Sequence, residues 1–171
     1  MKLKISIDLD DTIVSFYDHY ISRFGQPKTD LEITKKVMGE LLKDREFWLT
    51  QPLINFPNFT PTQYTTARLI PKLWIKKQLE INNLPKSPIY QVMGVALSKA
   101  KMLRGRVDVH IDDSLRVFKD LNSNIALLIY SVSLKYPASF TYSIISFNKF
   151  SSSILLNLFL TSYSVLFLYI M

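Results

Sequence analysis

Three carboxylates fall within four residues near the start of the chain, in Asp8-Leu9-Asp10-Asp11-Thr12. Side chains so close repel one another unless a cation sits among them, and hard oxygen ligands of this kind suit Mg²⁺. One aspartate is then placed to act as nucleophile, and another, two residues on, as general acid and base. The alternative is an Asp-rich turn or helix N-cap. A second acidic pair stands at Asp112-Asp113, and a hydroxyl (Thr66) and an ammonium (Lys99) lie between the two clusters. A hydroxyl and an ammonium suit the oxygens of a phosphoryl group, and a divalent cation would neutralise the remaining charge.

These residues need a scaffold that brings them together. Lys4-Ile5-Ser6-Ile7 reads as a short buried strand, with the first cluster at its C-terminal end. In open α/β sheets that edge is where ligands bind. Ile13, Phe16, Tyr17, Tyr20, Ile21 and Phe24 recur at helical spacing up to Gly25. A second helix is expected over about residues 30–45, capped by Thr29 or Asp30, and irregular chain from Phe47 to Pro61. A short strand leads into Thr65-Thr66-Ala67-Arg68, and a helix follows to Asn82. Ile89–Val92 reads as a strand, Ser98–Leu103 as a helix and Val107–Ile111 as a strand ending in Asp112-Asp113-Ser114. A helix over Ser114–Leu121 and a strand over Ile125–Tyr130 complete the alternation. Such alternation predicts an α/β fold, a Rossmann-like parallel sheet with helices on both faces. If the strands before Asp8 and Asp112 are adjacent and parallel, the two acidic clusters meet.

The chain's 171 residues suffice for one domain with a real core, and its apolar content of 48% is ordinary. The absence of cysteine excludes disulfides, thiolate metal sites and cysteine nucleophiles, and fits a reducing compartment. No signal peptide precedes the first strand, so a cytoplasmic location is expected. The net charge of +7 spreads over small clusters at Lys35-Lys36, Lys76-Lys77 and Lys99 to Arg106. These read mainly as solvated helix faces, with some attraction for a phosphorylated substrate. The aromatic and basic residues are not interleaved as a nucleic-acid platform would require.

Asp-x-Asp-x-Thr, then Thr-Ala-Arg, then lysine, then Ile-Asp-Asp-Ser, in that order over residues 5–130, resembles the haloacid dehalogenase-like (HAD) phosphohydrolase superfamily. The small 5′-nucleotidase-type and phage-encoded members are the most similar. The resemblance implies an Mg²⁺-dependent phosphatase acting on a small phosphorylated substrate, a nucleotide before a nucleic-acid end. It implies that Asp8 attacks phosphorus and that Asp10 protonates the leaving oxygen and then activates water. Mg²⁺ would be held by Asp8, the Asp10 main-chain carbonyl and Asp112, with Asp113 sharing that role or standing behind it. Thr66 and Lys99 would bind the transferred phosphoryl group; Thr65 and Lys101 are the alternatives to them. Arg68 is a candidate for a substrate phosphate or for a helix cap. Asp11 replaces a glycine common in the motif, with helix capping as its other role. His110 alternates with buried strand positions and reads as packing.

The same resemblance divides the chain into a catalytic core, residues 1–14 and 59–132, and a small helical cap insert after the first strand, residues 15–58. Phe16, Tyr17, Tyr20 and Trp48 either face a leaving group or, the preferred reading, form the insert's own core. Residues 133–171 are an apolar tail. Its last 18 residues, Ile154 to Met171, carry no charge. Three readings of the tail stay open: a membrane anchor through 154–171, elements packed on the core, or an aberrant extension.

Overall fold

The computed structural model describes residues 3–54, 57–92, 96–114, 117 and 126–128. The elements run β1 (Ile5–Asp8), α1 (Phe16–Phe24), α2 (Asp30–Met38), a 3₁₀ turn (Glu40–Leu42), α3 (Arg45–Leu49) and β2 (Gln63–Thr66). They continue α4 (Lys72–Ile81), β3 (Ile89–Gln91), α5 (Ala96–Leu103), β4 (Val109–Ile111) and β5 (Ala126–Leu128). Of the expected helix over Ser114–Leu121 only Ser114 and Val117 are among the described residues, and the tail over 133–171 lies outside them. Among the described residues, no helix is long and apolar enough to cross a membrane.

The strands form one sheet in the order β3-β2-β1-β4-β5, every neighbouring pair parallel. All four residues of β1 are buried, as expected for a central strand covered on both faces. With its flanking helices the sheet is an α/β, Rossmann-like fold. The chain builds outward from β1 through β2 to β3, then returns to β1's other side for β4. The direction of winding thus reverses between β1 and β4, and the crevice there is the usual ligand position in such sheets.

Two helices depart from the sequence expectation. The single helix over about 30–45 is broken: α2 stops at Met38, and a 3₁₀ turn follows Gly39. A Cβ on Gly39 would lie 3.1 Å from the Lys35 carbonyl oxygen, a tight fit that glycine avoids. The segment expected to be irregular from Phe47 begins inside α3, which the Asp44 carboxylate caps by accepting from the Phe47 N–H at 2.9 Å. Thr29 does cap α2, its hydroxyl accepting from the Glu32 N–H at 3.3 Å, while Glu32 reaches back to the Lys28 N–H at 2.9 Å.

Residues 15–58 and the sheet share one core. Tyr20, Leu41, Phe47 and Trp48 join Ile5, Ile7, Tyr64 and Ile75 in a single apolar cluster. Phe16 stacks on Trp48 at 5.8 Å between ring centroids, and Phe47 meets the Trp48 ring edge-on at 5.2 Å. The indole N–H donates to the Leu41 carbonyl at 2.7 Å. Phe16, Tyr20 and Trp48 therefore pack as core, while the Tyr17 hydroxyl accepts from the Gln26 amide.

Candidate active site at the sheet's switch point

Asp8 is the last residue of β1, and Asp112 follows directly on β4. The register pairs Ile7 with Ile111, so the two aspartates leave adjacent parallel strands at the same edge. Asp113 joins them: one carboxylate oxygen from each of Asp8, Asp112 and Asp113 lies within 4.8 Å of the others. That spacing lets a single hard cation take an oxygen from every one, so the donor set fits a divalent metal ion.

Lys99, on α5, is the counter-charge. Its ammonium lies 2.9 Å from Asp8 Oδ1 and 2.7 Å from Asp112 Oδ2, and the side chain is buried. Burial opposes its charge, but Asp8 and Asp112 outweigh that and hold the ammonium above its usual range. Asp112 receives three donors. Lys99 and His110 Nε2 (2.9 Å) share Oδ2, and the Ser114 N–H reaches Oδ1 at 2.8 Å. Burial works to raise the Asp112 carboxyl, yet the His110 bond and Lys99 hold it below the usual carboxylate range. Burial keeps His110 neutral, lowering its pKa, and a carboxylate only accepts, so Nε2 carries the proton.

The other two carboxyls are less well compensated. Burial pushes Asp8 up to about 7 against the pull of Lys99, with Asp112 and Asp10 adding to the rise. Burial and then the charges of Asp112 and Asp8 push Asp113 up to about 8. A cation among them would reverse this and release protons on binding.

Asp10 faces elsewhere. The turn after β1 is tight: the Ile13 and Val14 N–H groups both donate to the Leu9 carbonyl at 3.0 Å, and the Asp11 N–H donates to Val14 at 2.7 Å. Asp11 sits in the left-handed region at φ 52°, a conformation that favours glycine but that aspartate, whose side chain bonds locally, tolerates. Its Oδ1 accepts from both the Phe16 and Tyr17 N–H groups at 2.9 Å and so caps α1. Burial raises this carboxyl to about 6.

The turn aims the Asp10 carboxylate at Arg68. The guanidinium meets it in a fork, with Nε 2.8 Å and Nη2 2.7 Å from Oδ1. The Thr66 hydroxyl donates to Asp10 Oδ2 at 3.1 Å, while Thr65 donates to Asp8 Oδ1 at 3.0 Å. Both threonines of the sequence motif thus reach the site, one at each aspartate. Arg68 is buried and its guanidinium is occupied, Nη1 donating to the Gln78 amide oxygen and Nη2 to that of Gln51 at 2.6 Å. This is a third role for Arg68, beside substrate contact and helix capping.

Sequence reading did not single out Gln51 or Gln78. The one signal was Gln78's place on α4's buried face beside Ile75 and Leu79, where a polar residue needs a partner. His19 lies apart from the site, its ring 4.8 Å from Phe47. No protein-family model matches this sequence, and no curated protein matches it.

Proposed function

We propose that this chain is an Mg²⁺-dependent phosphomonoesterase of the HAD-like type, acting on a nucleotide or another small phosphate ester through an aspartyl-phosphate. One observation carries the reading. Asp8, Asp112, Asp113 and Lys99, spread over more than a hundred residues of sequence, converge at the switch point, with Asp10 two residues beyond Asp8 in a separate environment. Asp8, against Lys99 and the other cluster carboxylates, is placed as the nucleophile once a cation there favours its ionised form, and Asp10, two residues on, as the acid and base.

In this reading Asp8 attacks phosphorus, the bond from phosphorus to the ester oxygen breaks, and Asp10 delivers a proton to that oxygen. Asp10, now a carboxylate, then takes a proton from the water that attacks phosphorus, which frees Asp8 and inorganic phosphate. Lys99 lies against Asp8 and stabilises charge on the transferred group, and Thr66 donates to its oxygens. Asp8, the Asp10 main-chain carbonyl and Asp112, with Asp113 beside them, would hold Mg²⁺, which when bound neutralises phosphoryl charge.

The test is phosphate release from a panel of nucleoside monophosphates and sugar phosphates, with Mg²⁺ or with chelator, for the wild type and Asp8→Asn. Release that needs both Mg²⁺ and Asp8 is expected, and the variant should lose on the order of 10⁴-fold or more. Turnover that survives Asp8→Asn in a folded protein would refute the mechanism.

A further inference from the structure

Arg68 is the most heavily braced side chain in the described structure, and two of its braces have no assigned purpose. Gln51 follows α3, within the segment between the first two motifs, and Gln78 lies on α4. Both are buried. Gln51 Oε1 accepts from Arg68 Nη2 and also from Gln78 Nε2 at 2.9 Å. The Gln78 amide oxygen takes Arg68 Nη1. Trp48 lies under the guanidinium, its ring centroid 4.9 Å from Cζ. Gln91 holds the main chain, donating to the Arg68 carbonyl at 3.1 Å.

The arrangement carries a cost. With Oε1 committed to two donors, Gln51 Nε2 is buried without a hydrogen-bond partner among the described residues. Apolar side chains of similar volume often serve stability as well as a buried polar cluster does. What apolar residues cannot supply is acceptors that turn the fork of Arg68 towards Asp10. Each glutamine oxygen takes one outer nitrogen of the guanidinium, leaving Nε to donate to both oxygens of the carboxylate, with Nη2 2.7 Å from Oδ1.

We propose that Gln51 and Gln78 are positioning residues. By holding Arg68, they fix the orientation of the Asp10 carboxyl, the group that exchanges a proton with the leaving oxygen in that reading. The inference rests on the phosphatase reading above and adds to it a mechanical tie between residues 15–58 and proton transfer. Neither glutamine touches the reacting atoms, so their loss acts only where a proton must be delivered.

That requirement sets the test. In full-length protein with Mg²⁺, kcat/KM is measured on phenyl phosphate and on para-nitrophenyl phosphate. This constant covers steps up to departure of the first product. Nitrophenolate leaves without a proton, whereas phenolate departs much faster with one. For Gln51→Leu and Gln78→Leu, the phenyl phosphate value should fall ~10²-fold, the low end for loss of general acid catalysis, and the nitrophenyl value less than ~5-fold. The ratio of the two is unaffected by any fraction of unfolded protein. Gln51→Glu keeps an acceptor for both Arg68 and Gln78 and should recover most of the difference. Equal losses on both esters, no loss on either, or a Gln51→Glu ratio matching that of Gln51→Leu would overturn the positioning role and leave the phosphatase standing. Absence of Asp8-dependent release from either ester in the wild type would overturn both.

Discussion

Asp8 and Asp10 are two residues apart, yet each has its own cation, and the two cations differ in kind. Asp8 shares the ammonium of Lys99 with Asp112. Asp10 has the planar fork of Arg68, whose outer nitrogens are also taken up by two glutamines. An ammonium is a compact point charge with rotatable donors, suited to standing between groups that exchange partners. A guanidinium fixed in a fork holds one carboxylate in one orientation. The difference separates a place where charge is balanced and rebalanced from a place where geometry is held, and the sharpest ways to break that contrast remove one cation at a time.

Lys99→Met should have the larger effect. It strips the only buried cation from Asp8 and Asp112 among the described contacts. Activity should fall on the order of 10³-fold, as for loss of one preorganised charge-stabilising donor. Metal-free protein should lose about 3 kcal/mol in urea unfolding at neutral pH, because a broken buried pair leaves uncompensated charge. Mg²⁺ should restore part of the stability but not the rate. A variant as active as the wild type would remove Lys99 from the proposed chemistry.

Arg68→Lys comes next. It keeps the charge and loses the fork, so phenyl phosphate turnover should fall ~10²-fold with little change in Mg²⁺ affinity. If Mg²⁺ affinity falls instead while the two aryl phosphates keep their wild-type ratio, the division between the two regions is wrong.

The two regions also differ in how far sequence reveals them. The first was legible because its parts stand at strand ends. A buried four-residue run places Asp8, and Val107–Ile111 places Asp112 in the same way, so parallel pairing brings them together. The second was not. Gln51 and Gln78 are amides with no spacing rule, one after a short helix and one on an amphipathic helix, and only the folded chain makes them neighbours. The helix that carries Trp48 to Arg68 was hidden as well. Its start depends on the break at Gly39 and the Asp44 cap, signals weaker than the aromatic and proline content that suggested irregular chain. The expected strands within the described residues lie close to the observed ones, although β2, Gln63–Thr66, is largely polar and β3 is exposed over Tyr90 and Gln91. Helix boundaries depended on single caps.

His110 was read as packing, and it is wholly buried, but its Nε2–H on Asp112 gives it a second task. A group that orients a metal ligand typically changes affinity 10- to 100-fold when lost. His110→Leu should therefore weaken Mg²⁺ binding about tenfold by calorimetry, while His110→Gln, which keeps a donor, should weaken it less. Equal affinity in both variants would return His110 to packing alone.

The smallest expected effect is on thermal stability, and its sign follows from the acidic cluster. Asp8 and Asp113 have folded-state pKa values of about 7 and about 8, above the ordinary carboxylate value. The folded protein therefore binds more protons than the unfolded chain, and stability falls as pH rises through that window. His19 and His110 have lowered values and act in the opposite sense, but only below the ordinary histidine value near 6.5. Between about pH 6.5 and 8 the carboxyls act alone, so the melting temperature of metal-free protein should drop by a few °C, on the order expected for 1 kcal/mol in a chain of this size. If Mg²⁺ binds the deprotonated cluster as proposed, it stabilises the folded state by mass action, and that effect should be largest at pH 8 and shrink towards pH 6. Asp113→Asn should flatten the metal-free slope. A slope unchanged by that substitution, or an Mg²⁺ effect that grows on acidification, would show that the cluster does not bind the cation as proposed.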